Sequence, residues 1–209
     1  MSRLAAELTR VFGDPPVAPR AVVRVEVGSG QGLDAARLEA DRLVDAGADL
    51  VVLDSPGAGV GPLTALALLL DLEPVTVVPD EPAEGWRERV LALRALCRAG
   101  RPLLDDPAAL LEHLQDPALT RTTGLLAQLA DRRTPVLCGG GTTTAAAALV
   151  AARLAPTTWW LAGSAPVLPA AARAWRALDR EPLLDLGLAE GGADVAAAVV
   201  RAGLDLLGA

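Results

Sequence analysis

Pro135-Val-Leu-Cys-Gly-Gly-Gly-Thr-Thr-Thr-Ala-Ala-Ala-Ala-Leu149 decides the fold. A short apolar run passes into three glycines, then three threonines, then an alanine-rich stretch. That order spells a buried strand end, a glycine turn and a helix start. The turn offers free backbone N–H groups, hydroxyls and the positive end of a helix dipole. Together these suit an anion, most often a phosphate. Gly139, Gly140, Gly141, Thr142 and Thr143 are therefore candidate ligand-binding residues.

The same arrangement occurs upstream in Ser55-Pro-Gly-Ala-Gly-Val-Gly-Pro-Leu-Thr64, where Gly57, Gly59, Gly61 and Thr64 are the candidates. A third turn, Gly163-Ser164, follows the apolar run at 157–162. All three turns follow expected strands. Parallel sheets bind ligands at the carboxyl ends of their strands, so the turns are expected to converge on one edge.

The rest of the chain alternates in the same way. Strands are expected at 21–27, 48–53, 74–78, 134–138, 157–162 and 182–186. Helices are expected at 3–12, 33–46, 64–72, 84–99, 106–114, 119–131, 142–154, 169–178 and 193–207. The run 48–53 is continuously apolar, as in a strand covered on both faces. Gly47 reads as the C-terminal stop of the helix before it. Asp106 reads as an N-cap with Pro107 at the first helical position. The fold class implied is α/β: a three-layer, Rossmann-like, mostly parallel sheet with helices on both faces. Residues 1–19 read as an N-terminal helix and proline-rich linker, and 20–209 as the α/β domain.

Composition narrows the function. The chain has 209 residues, a formal charge of −7 and no basic stripe, which disfavours nucleic acid and anionic membrane as partners. All 19 basic residues are arginine. Cys97 and Cys138 are isolated and read as reduced thiols. His113, the only histidine, reads as an exposed helix residue, and one histidine gives a metal cluster or a Ser/His/Asp triad little to draw on. No cofactor is expected. The first residues carry charges within their apolar run, unlike a signal peptide, and the apolar run 63–70 is too short to span a membrane, so a cytoplasmic protein is expected.

Two readings stand for the glycine turns. They bind an anion, or they only let strands turn tightly into helices. Two readings also stand for Glu190 in Leu186-Gly-Leu-Ala-Glu-Gly-Gly192: a general base, or a charge favoured by a helix N-terminus. Trp159, Trp160 and Trp175 read as core or interface. Arg87, Arg89, Arg94 and Arg98 read as a solvated face from which Arg87 or Arg89 can meet a phosphate.

Several segments together resemble the nicotinate-nucleotide:dimethylbenzimidazole phosphoribosyltransferase family of cobalamin assembly. Glu181-Pro-Leu-Leu-Asp-Leu-Gly-Leu188, which contains Gly187, is the most specific of them. The opening stretch matches where the family has an Asp-Gly-Phe turn ahead of Thr-Ala-Ala-Ala. The glycine turn at 56–64 matches the family's Gly-Glu-Met-Gly-Ile-Gly-Asn-Thr-Thr loop. The resemblance runs in order over about residues 20–207.

The resemblance implies transfer of phosphoribose from nicotinate mononucleotide to a benzimidazole, with release of nicotinate. It implies a homodimer, glycine loops that hold the nucleotide phosphate, and a C-terminal Glu as base, which falls on Gly192 without a gap and on the candidate Glu190 only if two residues are deleted. It also marks departures. The family's N-terminal part, which supplies much of the benzimidazole pocket, has no counterpart. The loop Glu falls on Gly57, the phosphate-binding Lys on Glu88 and the Asp of Asp-Gly-Phe on Gly139. Two functions follow: a shortened phosphoribosyltransferase, weak or inactive alone and helped by a separate subunit that supplies the missing pocket, or a non-catalytic ligand-binding or partner subunit that kept only the scaffold.

Overall fold

The computed structural model of the chain describes residues 3–14, 16, 17, 19–26, 32–55, 57–80, 82–185 and 192–207. Its centre is a parallel sheet of four strands, β1 (Val22–Glu26), β2 (Leu50–Asp54), β3 (Val136–Cys138) and β4 (Trp160–Ala162), lying side by side in that order. In register, Val51 faces Val136 and Leu53 faces Cys138; Val136 then faces Trp160.

Nine α helices surround the sheet among the described residues. They are α1 (Arg3–Phe12), α2 (Leu33–Asp45), α3 (Val60–Leu69), α4 (Ala83–Gly100), α5 (Pro107–Leu114), α6 (Pro117–Asp131), α7 (Thr142–Ala151), α8 (Pro169–Ala177) and α9 (Gly192–Leu207). The sheet grows in one direction along the chain. Right-handed crossovers then place successive helices on the same face. The core divides accordingly. Val51, Leu53, Val136, Cys138 and Trp160 pack with α2, α3, α6, α7 and α8 on one face. Leu50, Leu137 and Leu161 pack with Leu8 and Val11 of α1 and Val200 and Leu204 of α9 on the other. The period-two alternation of each strand divides its side chains between these two layers. The three-layer α/β architecture read from the sequence is the one observed.

Local chemistry sets the element ends. Gly47, at φ 94°, closes α2 in a Schellman turn: its N–H bonds Val44 O at 2.9 Å, and Ala48 N–H bonds Leu43 O at 3.1 Å. The Asp106 carboxylate accepts from the N–H groups of Ala108 and Ala109, so the expected cap is present. Asp116 caps α6 through Leu119 N–H at 2.9 Å, a cap the sequence reading missed when it started that helix at 119. Ala145–Ala148 of α7 are fully buried, and their small side chains let α7 lie close against α3, α6 and α8.

Several expectations are corrected. Residues 74–78 form no strand: Pro74–Thr76 is a 3-10 turn, because Pro74 has no N–H to give a sheet, and the Thr76 N–H and hydroxyl both bond Glu73 O. Val77 and Val78 are nevertheless buried, which is why the run reads as apolar. Of the strand expected at 182–186, the described residues 182–185 form a single bridge, Ser164 with Leu184, in which Leu184 N–H bonds Gly163 O and Ala165 N–H bonds Leu184 O. The helix expected at 64–72 starts earlier, at Val60, so Gly61 lies in its first turn. His113 is partly buried, with Nε2 3.1 Å from Leu96 O.

Candidate functional site

The carboxyl ends of β2, β3 and β4 meet, and glycine makes the meeting possible. Thr144, in the first turn of α7, accepts the N–H of Ser55 at 2.8 Å, and its hydroxyl lies 3.3 Å from Ser55 O. This ties α7 to the loop after β2. A side chain on Gly141 would begin 2.3 Å from Ser55 O, so only glycine permits that approach. Gly57 has φ 97°, a conformation that favours glycine, and its carbonyl accepts from the Thr143 hydroxyl at 3.3 Å. A side chain on Gly140 would meet Ala165 O at 2.9 Å and Ser164 Oγ at 3.0 Å. The three turns thus converge on one edge.

A cavity of about 490 Å³ opens there, lined by Gly57, Ala58, Gly140, Gly141, Thr142 and Leu168, with Asp80 at its rim. Helices α7 and α8 begin in its wall, and α3 begins just after Ala58, outside the lining. The N-cap residues of α3, α7 and α8 are Gly59, Gly141 and Leu168, and none carries a side-chain cap. Their first-turn N–H groups are left for solvent or a ligand, except at Pro62 and Pro169, which have none. Oriented N–H groups and helix dipoles at one cavity favour an anion. Arg89 on α4 reaches this loop and donates to Ala58 O at 3.0 Å, while Arg87 and Glu88 are exposed. Ser164 Oγ is buried and has no hydrogen-bond partner among the described residues.

The sequence reading missed two carboxylates. Asp54, which ends β2, lies across from Gly139: a side chain on Gly139 would begin 2.3 Å from Asp54 Cγ. Asp116 presses on the other turn, with its Cβ 2.6 Å from where a side chain on Gly61 would begin. Beyond Asp116 lies a larger cleft of about 680 Å³ between the start of α2 and α5–α6. Burial pushes the Cys138 thiol far up, and the Asp54 charge adds to that shift. Among the described residues, no group of three or more His, Cys, Asp or Glu side chains is placed to hold a metal, and no helix is long and apolar enough to cross a membrane.

Residues 26–209 match a family model described as phosphoribosyltransferase. The chain belongs to this phosphoribosyltransferase family. Its relatives include the nicotinate-nucleotide–dimethylbenzimidazole phosphoribosyltransferases of Corynebacterium glutamicum, 39% identical over 80% of this chain and 49% of that protein, and of Mycobacterium avium, 38% identical over 94% of this chain and 63% of that protein. Among solved structures, CobT from Thermus thermophilus superposes with a TM-score of 0.75 at 28% identity, covering 84% of this chain and 55% of that one. The chain therefore spans about half of the relatives it matches, between 49% and 63% of their length in these two cases.

The structure gives the sequence-derived candidates different places. Gly57, Gly140, Gly141 and Thr142 line the cavity; Thr143 ties Gly57 down, and Gly59 starts α3. Gly139 and Gly163 are buried beneath, where a side chain on Gly163 would begin 2.9 Å from Cys138 O. Thr64 is fully buried and donates to Val60 O within its own helix. Glu190 and Gly187 lie outside the described residues. Of the two arginines named as phosphate partners, Arg89 is the one at the loop. The carboxylate beside Gly139 is that of Asp54, from the neighbouring strand.

Proposed function

We propose that this chain binds nicotinate mononucleotide as a phosphoribosyltransferase-family protein and that, alone, it transfers phosphoribose to a benzimidazole weakly or not at all. The observation that carries the reading is the cavity at which α7 and α8 begin without side-chain caps, with Arg89 bonded to Ala58 in its wall. The phosphate is assigned to the N–H groups and hydroxyls at Gly57, Gly140, Gly141 and Thr142, and Glu190 is the proposed base. A homodimer and a separate subunit that supplies the acceptor pocket are proposed as its assemblies, in the cytoplasm.

Titration calorimetry with nicotinate mononucleotide tests the binding, and nicotinate release in the presence of dimethylbenzimidazole tests the transfer. Binding without release is the expected result for the isolated chain. No heat at millimolar nucleotide overturns the proposal. Fast release that is abolished by Glu190→Gln overturns its second half.

The other reading, a non-catalytic partner subunit, draws support from the carboxylates Asp54 and Asp80 placed beside the turns. A carboxylate repels phosphate, so a scaffold that no longer holds a nucleotide tolerates both.

A further inference from the structure

The Asp54 carboxylate stands at the carboxyl edge of the sheet, where the turns converge. The residue is partly exposed, but its Oδ1 is buried against the turn it fills: side chains on Gly139 and Gly141 would begin 2.3 Å and 3.1 Å from that oxygen. Gly141 lines the cavity at the start of α7. An anion-binding helix start and a carboxylate thus lie on either side of one glycine. A phosphate is held by the first and repelled by the second. A nucleotide carries a group suited to each. Its phosphate is anionic, and its ribose presents two adjacent hydroxyls, which donate well to a carboxylate. Carboxylates at the carboxyl edge of a nucleotide-binding sheet recognise ribose hydroxyls in this manner.

Resting on the nucleotide reading above, we infer that Asp54 is the ribose-recognition residue of this site: it accepts from the 2′- and 3′-hydroxyls and thereby turns the phosphate outward to the starts of α7 and α8. The carboxylate acts by position and charge, orienting the sugar. It takes no proton in this role.

The test is titration calorimetry of wild type and Asp54→Asn with nicotinate mononucleotide, nicotinate riboside and inorganic phosphate, alongside thermal unfolding. Expected are a loss of about tenfold or more for nucleotide and riboside in the variant, and phosphate binding that is unchanged or tighter. Equal nucleotide affinity in wild type and variant overturns the inference and leaves the nucleotide reading standing. A wild type that binds no nucleotide overturns both. If Asp54→Asn does not fold, 2′,3′-dideoxy nicotinate mononucleotide decides on the wild type. It must bind at least about tenfold more weakly than the parent, and equal binding overturns the inference.

Discussion

The Thr144 hydroxyl bonds both the N–H and the carbonyl of Ser55, at 2.8 and 3.3 Å, across 89 residues of chain. One buried side chain thereby fixes the start of α7 against the loop after β2, and both partners are out of solvent. Thr144→Val keeps the shape and removes the hydroxyl, leaving the Ser55 N–H buried without its acceptor. The expected cost is about 1–3 kcal/mol in urea unfolding, and Thr144→Ser, which keeps the bonding group, is expected to lose less.

Gly141 and Gly32 provide a paired control. Both are N-cap residues with extended backbone, so conformation alone does not separate them. Space does. A methyl on Gly141 would lie 2.3 Å from a backbone oxygen, whereas one on Gly32 would have nothing within 4 Å. Gly141→Ala is expected to cost about 3 kcal/mol or more, because backbone cannot rotate away as a side chain can. Gly32→Ala is expected to stay within about 1 kcal/mol of wild type. Chemical denaturation of the two variants measures the contrast, and equal losses would refute the packing account.

The same distances explain what the sequence could and could not convey. Continuous apolar runs announce strands buried on both faces, so β2, β3 and β4 were legible, and glycine before threonine and alanine announced α7. Pro74 defeated the period at 74–78 because an apolar run is buried equally well as a tight turn under helices. Asp54 was silent because a carboxylate at the end of an apolar run reads as the strand's terminator. Its meaning depends on Gly139, a neighbour only after β3 is laid beside β2. Asp116 was silent for a related reason: its contact with Gly61 joins the starts of two helices far apart in the chain.

Asp41 supplies a pH dependence. It accepts from Gln128 Nε2 at 2.9 Å and from Arg132 at 2.8 Å, tying α2 to α6. The Gln128 bond, followed by the Arg132 bond, lowers its pKa below the ordinary 3.8. A carboxyl lowered in the native state binds fewer protons there than in the unfolded chain. Its contribution is complete above the ordinary value and is lost as pH falls through the lowered native one. With the Asp41 and Arg132 side chains 31% and 35% exposed, solvent screens the pair and the effect is small. Asp41→Asn is expected to flatten the acid limb of stability below about pH 5 and to leave the neutral shape of the profile unchanged. Urea midpoints across that range check it.

Asp54 and Gly139 should be coupled energetically as they are in space. Gly139→Ala puts a methyl into the Asp54 carboxylate, which lies 2.3 Å from that position, and the carboxylate must move for the variant to fold. In Asp54→Ala the obstacle is gone and the same methyl enters vacated space. The double variant should therefore be more stable than the sum of the single losses implies, with a coupling of about 0.5–3 kcal/mol, the range for residues in direct contact. Additive losses would mean that the carboxylate swings clear at no cost. It would then have room to leave the position from which it is proposed to meet the ribose. The cycle needs no ligand and no turnover. Read from denaturant unfolding, it tests whether the carboxylate is held at the sheet edge, whatever the site binds.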